Sequence, residues 1–166
     1  MSDDYQPRRL FTVDQANAAL PLVRAIAQDL AELSSEVIER RQRIAHLRGN
    51  RDIDSSDPYS SELAQIEEEL ERDGERLEAY VEELRELGVE PKYGPEGLVD
   101  FPTLIEGRVV FLCWKIGEPE ITCWHEIDAG FRGRQPLVAG SAVAHDDTGL
   151  DSAGLGDSHM PTDDDN

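Results

Sequence analysis

The sequence predicts an α+β fold: a long antiparallel two-helix hairpin, coiled-coil-like, followed by a small antiparallel β-meander and an irregular Gly/Arg loop. Three observations predict it. Two stretches of heptad-spaced apolar residues share one antiparallel register. Runs of β-branched and aromatic residues follow them. Six of the ten aromatic residues fall between Tyr93 and Phe131, which places the denser core there.

The first helix opens at Thr12. Gln15 lies three residues on and Phe11 just before, the pattern of a capping box with a hydrophobic staple, and Asp14 suits the positive end of the helix dipole. Pro21 lacks the N–H that would bond Asn17, so a kink or restart is expected there. The apolar seam then reads Leu22, Ile26, Leu30, Leu33, Val37, Ile44 and Leu47, and Gly49-Asn50 ends it. A polar loop holding Asp57-Pro58 follows, after which Ser60 or Ser61 is expected to cap a second helix that stops at Gly88. Its seam is Leu63, Ile66, Leu70, Leu77, Tyr80, Leu84 and Leu87, with Asp73 where another apolar residue would fall.

Folded back, the two seams interlock. Leu47 meets Leu63, Ile44 meets Ile66, Leu33 meets Leu77, Leu30 meets Tyr80 and Ile26 meets Leu84, each pair of numbers summing to 110. Five Arg residues between 40 and 51 fall beside the acidic opening of helix two, Glu62 and Glu67 to Glu69. Arg40 and Asp73 come within about one layer, where a polar pair can fix register or the side chains can snorkel to water. Val23, Ala27, Ile38 and Val81 lie off the main stripe, so a second copy or the C-terminal strands must cover them. A homodimer forming a four-helix bundle is the expected partner arrangement.

Beyond Gly97, Leu98 to Phe101 reads as a short strand ended by Pro102. Arg108 to Lys115 and Ile121 to Glu126 read as a hairpin across the turn Gly117-Glu118-Pro119-Glu120, giving a three-stranded meander. The domain therefore spans 10–137, with the hairpin over 12–88 and the β region over 97–137. From Val138 to Asn166 the chain holds seven Asp and no Lys or Arg, and is expected to be a disordered acidic tail. His145 and His159 in it could touch a metal, but a solvated tail is the plainer reading.

Composition narrows function by exclusion. With 16 Lys plus Arg against 36 Asp plus Glu, the net charge of −20 opposes phosphate backbones and anionic lipid, so neither nucleic acid nor membrane is an expected partner. No basic segment followed by an apolar run opens the sequence, which sets the expectation of a cytoplasmic protein. Cys113 and Cys123 sit on the two strands of the expected hairpin, directly opposed if the turn holds three residues. Without C-x₂-C pairs, and in a reducing compartment, they read as buried small hydrophobes rather than zinc ligands or a disulfide. His125-Glu126 fails as a zincin start because position 129 is Ala129, and no G-x-S-x-G, P-loop or dinucleotide fingerprint occurs.

One stretch stands apart. Gly130-Phe131-Arg132-Gly133-Arg134 combines permissive glycines with two guanidinium forks, a combination suited to a carboxylate or phosphate. The candidate ligand-binding set is Trp124, His125, Glu126, Asp128, Phe131, Arg132 and Arg134; the competing reading has the Arg residues clamping Glu side chains of helix two or carbonyls at a chain end.

Phe11 to Asn17 (FTVDQAN), Ala19 to Leu22 (ALPL), Gly97 to Pro102 (GLVDFP), Trp114 to Ile121 (WKIGEPEI) and Trp124 to Leu137 (WHEIDAGFRGRQPL) are together long and unusual. On them, Leu10 to Leu137 resembles the bacterial domain-of-unknown-function 2203 family. The resemblance implies one domain of helical hairpin plus small sheet; it brings no activity, cofactor or catalytic residue with it. The expected function is a non-enzymatic, self-associating cytoplasmic interaction module. The alternative is a small-anion-binding or metal-assisted enzyme with its site at His125 to Arg134.

Overall fold

The computed structural model describes residues 5–49 and 54–138. Apart from Val138, the expected acidic tail, with His145 and His159, lies outside the described residues. Two helices, α1 (Val13–Arg48) and α2 (Ser60–Glu86), precede five strands: β1 (Glu90–Tyr93), β2 (Leu98–Ile105), β3 (Arg108–Lys115), β4 (Cys123–His125) and β5 (Gln135–Pro136). The strands form one antiparallel sheet in the order β1-β2-β3-β4-β5. Among the described residues no helix is long and apolar enough to cross a membrane.

Local chemistry starts α1 where the sequence places it. The Gln15 amide donates to Thr12 Oγ1 and the Thr12 amide to Gln15 Oε1, both at 3.0 Å, while Phe11 is fully buried. The expected restart at Pro21 does not occur, and one helix runs through it. The cap of α2 also differs: Tyr59 holds the N-cap position without a side-chain capping bond, and its amide is held by Asp57 Oδ1 at 2.9 Å.

The helices pack against each other as an antiparallel hairpin, with ion pairs across it that agree with the alignment of the seams. Ile26, Leu30 and Leu84 share one core cluster, with Leu77 and Tyr80 packed against it. Ion pairs from Arg40 to Glu69 and Asp73, from Arg43 to Glu62 and from Arg48 to Glu67 lace the far end. Asp73 is buried and bonded to Arg40, so the acid turns inward instead of snorkelling, while the Arg40 side chain stays partly exposed.

Leu22 departs from its seam and is 55% exposed, whereas Leu20, Val23 and Ala27 are buried. The first half of α1 touches both α2 and the sheet, so its apolar face widens and turns toward the strands. Val23 and Ala27 are therefore covered within the chain by a core that includes Val99, Phe101, Val110, Leu112 and Trp114; Ile38 stays exposed.

The sheet is larger than the expected meander. Strand β2 continues through Pro102 to Ile105, then turns at Glu106-Gly107, both with positive φ (52° and 78°), as in a two-residue type I′ hairpin. Pro102 is tolerated because its carbonyl points away from β3 and accepts the Phe11 amide at 2.7 Å. Its nitrogen shares that side and owes β3 no hydrogen bond. Helix α1 also holds the β3–β4 connection: Asn17 Oδ1 accepts the Ile121 amide at 2.9 Å and Arg24 donates to the Pro119 carbonyl at 3.2 Å.

Candidate metal centre

Alternation along the strands separates two faces. Val99, Phe101, Val110, Leu112, Trp114 and Trp124 face the helices, which leaves Asp100, Phe111, Cys113, Cys123 and His125 on the outer face. Because Pro102 is turned away from β3, Asp100 opposite Cys113, two residues along, is likewise a non-hydrogen-bonded pair. Side chains of such pairs stand closest, with Cα atoms about 4.5 Å apart. Cys113 then directs its amide and carbonyl toward β4, where Cys123 lies directly opposite, in the three-residue-turn register, and His125 is opposite Phe111.

This outer face is not open to solvent at its centre. Asp100, Cys113 and His125 are exposed by 1%, 0% and 2%. The Tyr5 ring packs edge-on against Phe111 at 5.3 Å, and the His125 ring lies 5.6 Å from Phe111 on the same row. One donor atom from each of Asp100, Cys113 and His125 lies within 4.8 Å of the other two, the one such trio among the described residues.

The hydrogen bonds define what these atoms can do. His125 Nδ1 is 2.7 Å from the Glu126 carbonyl, an acceptor, so Nδ1 carries a proton. Its Nε2 faces Asp100 Oδ2 at 2.9 Å, also an acceptor. A neutral imidazole would then aim a lone pair at a carboxylate. Either a second proton or a cation must lie between them. Burial pulls the His125 pKa down, but the Asp100 and Glu126 hydrogen bonds and the carboxylate charge outweigh it and raise the pKa. Burial, followed by the charge of Asp100, pushes the Cys113 thiol up to about 12, so without a cation it is protonated. Asp100 Oδ1 is buried and makes no well-formed hydrogen bond, although the Cys113 thiol is near enough to the carboxylate for a hydrogen bond to it to add to that rise.

The residues singled out in the sequence do not converge. Trp124 faces the helices, with the Arg108 guanidinium 6.0 Å from its ring. Glu126 is bonded by Arg108 (Nε to Oε1, 3.2 Å), which lowers its pKa. Asp128 sits in an exposed turn, and Arg132 is exposed on a short 3₁₀ turn, Phe131–Gly133. Phe131 lies beneath the Arg134 guanidinium at 4.7 Å. Arg134 Nη2 donates to both Glu118 oxygens at 2.7 Å and to the Cys113 carbonyl at 3.3 Å. Of the two guanidinium forks, that of Arg134 is thus partly spent on an internal acid, as the structural reading of the loop has it, though the acid is Glu118 and not one of helix two. Of the set, His125 alone enters the trio; Asp100 and Cys113 were not in it.

A model of the family described as "Uncharacterized conserved protein (DUF2203)" matches residues 9–137. The chain belongs to the DUF2203 family. No curated protein and no solved structure matches it significantly. For this DUF2203 protein the matched region takes in both helices, all five strands and the trio, and ends at Leu137, whose amide bonds the Thr122 carbonyl at 2.9 Å.

Proposed function

We propose that this DUF2203 protein is a metal-binding module whose outer sheet face chelates a zinc-class divalent cation through Asp100, Cys113 and His125. One observation carries the reading. A carboxylate, a thiol and an imidazole from three adjacent strands converge within 4.8 Å in a buried place, and one carboxylate oxygen there makes no well-formed hydrogen bond.

The chemistry of the donors supports it. His125 pairs with Asp100 Oδ2, but the other buried oxygen makes no well-formed hydrogen bond, and a bound cation would satisfy it. The Glu126 carbonyl holds the Nδ1 proton, so Nε2 is the atom that would ligate once a cation replaces the proton between it and Asp100, the usual orienting device around zinc. Sulfur and nitrogen with one oxygen suit Zn²⁺ and its near neighbours over Mg²⁺ or Ca²⁺. Zn–N and Zn–O bonds of about 2.0–2.2 Å put tetrahedral N and O about 3.3–3.5 Å apart. The present 2.9 Å needs only a small side-chain adjustment. A reducing compartment, the cytoplasm by this reading, would keep the Cys113 thiol available.

Zn²⁺ titration of reduced protein against a chromophoric chelator tests this. One saturable equivalent is expected, with Asp100→Asn, Cys113→Ser and His125→Gln each weakening it at least about tenfold. Zn²⁺ at about 100 times its Kd should also add about 2.7 kcal/mol of stability. Absence of saturable binding, or binding untouched by all three variants, refutes the proposal.

Self-association through the hairpin is a second reading, favoured by Leu22 and Ile38, exposed by 55% and 39% on α1. Light scattering at micromolar concentration is expected to show a dimer, and a strict monomer refutes it.

A further inference from the structure

We infer that Cys123 is the fourth ligand of this centre, making a closed Asp-Cys-Cys-His set on three neighbouring strands. The inference rests on the metal-binding reading and specifies its chemistry: a tetrahedral two-thiolate site for a borderline-soft cation, with no position left for a substrate.

The placement follows from register. Cys123 is directly opposite Cys113, and His125 is two residues beyond it on the same strand, so all three side chains share one face. Backbone alternation makes Cys113 and Cys123 a hydrogen-bonded pair, with Cα atoms about 5.5 Å apart and Cβ atoms about as close. Tetrahedral Zn–S bonds of about 2.3 Å bring two sulfurs to about 3.8 Å, within reach of a χ1 rotation from such a pair. Cys123 Sγ is at present 3.7 Å from Thr122 Oγ1, a weak contact that such a rotation gives up at little cost.

The surroundings of the trio favour a protein ligand over water. Phe111 and Tyr5 close the face beside His125 with aromatic rings, and the three donors are almost without exposure. Cys123 is the half-buried sulfur on the flank away from them.

A second orphan atom marks that flank. Arg134 Nε is buried without a partner, while its Nη2 is held by Glu118 and the Cys113 carbonyl. Held 3.3 Å from the Cys113 carbonyl, directly across from Cys123, the guanidinium stands beside the strand positions where two metal-bound thiolates would concentrate negative charge. An acceptor at Asp100 without a well-formed hydrogen bond and an unpaired donor at Arg134 therefore flank the two cysteines. A metal between them satisfies the first, and a thiolate beside it offers the second an acceptor.

Co²⁺ titration of the full chain under thiol-free reductant separates this inference from the reading beneath it. The expected result is a sulfur-to-cobalt charge-transfer band in the wild type. Cys123→Ala and Cys113→Ala should each about halve it, the double variant should abolish it, and Cys123→Ala should cost at least about tenfold in affinity. Tryptophan fluorescence from Trp114 and Trp124 checks that each variant is folded. A wild-type band that Cys123→Ala leaves unchanged overturns the fourth-ligand assignment and leaves a three-ligand centre. No band in the wild type overturns both.

Discussion

Asp100 occupies a strand position that composition would give to an apolar residue, and its neighbours register the charge. Tyr5 is the clearest reporter: burial first, then the charges of Glu90 and Asp100, push its pKa up to about 12. A phenol whose folded pKa lies above its unfolded value of about 10 contributes stability that is complete below pH 10. That contribution is lost as pH rises from about 10 to about 12, where the unfolded chain ionises first. Tyr5→Phe keeps the ring against Phe111 and should remove roughly 1 kcal/mol of this alkaline loss, after solvent screening. Urea denaturation across that pH window checks it, and an unchanged slope contradicts it. Gly97 makes a different point. It is left-handed (φ 60°), and a Cβ there would collide with the Ile116 side chain. Gly97→Ala is expected to cost about 2–4 kcal/mol by thermal or urea unfolding, and a loss below about 1 kcal/mol contradicts the account.

At the scale of elements, the hairpin turns on an asymmetry in its one buried ion pair. Asp73 is 7% exposed at its side chain against 30% for Arg40, which also reaches Glu36 and Glu69. Removing Arg40 strands a buried carboxylate that retains only a longer contact to exposed Arg76, 3.8 Å away. Removing Asp73 leaves a half-exposed cation with two other partners. Arg40→Ala should therefore cost about 2–4 kcal/mol and Asp73→Ala about 1 kcal/mol or less. Equal losses, measured by urea denaturation, would deny the pair this role.

The helices were legible in the sequence because their information is local and repeated. Thr12 with Gln15, and the burial of Ile26 and Leu84 in one core, follow from spacing alone. Leu22 was misplaced since spacing cannot say that α1 serves two partners. The strands were less legible. Pro102 reads as a terminator until the Phe11 amide supplies the reason it is tolerated, and β1 and β5 are short strands that each contain proline.

For the whole molecule, the candidate site is a product of topology. Asp100, Cys113 and His125 stand on three strands, and no spacing between them resembles a ligand motif. Only the stacking of two registers, β2 on β3 and β3 on β4, brings them together. His125 alone could be picked out, and for a different partner. The Gly/Arg loop, which the sequence leaves open to a structural clamp or an anion site, ties Arg134 to Glu118 and the Cys113 carbonyl, bracing the sheet beside the cysteines. Helices and strands thus divide the work: α1 and α2 cover the inner face, and the outer face gathers the donors.

X-ray absorption spectroscopy at the zinc edge, on protein loaded with one equivalent under reducing conditions, tests the central claim most directly. The account expects a sulfur shell at about 2.3 Å together with nitrogen and oxygen at about 2.0–2.2 Å, the sulfur shell lost in Cys113→Ser/Cys123→Ser. A shell of oxygen and nitrogen alone in the wild type would contradict it.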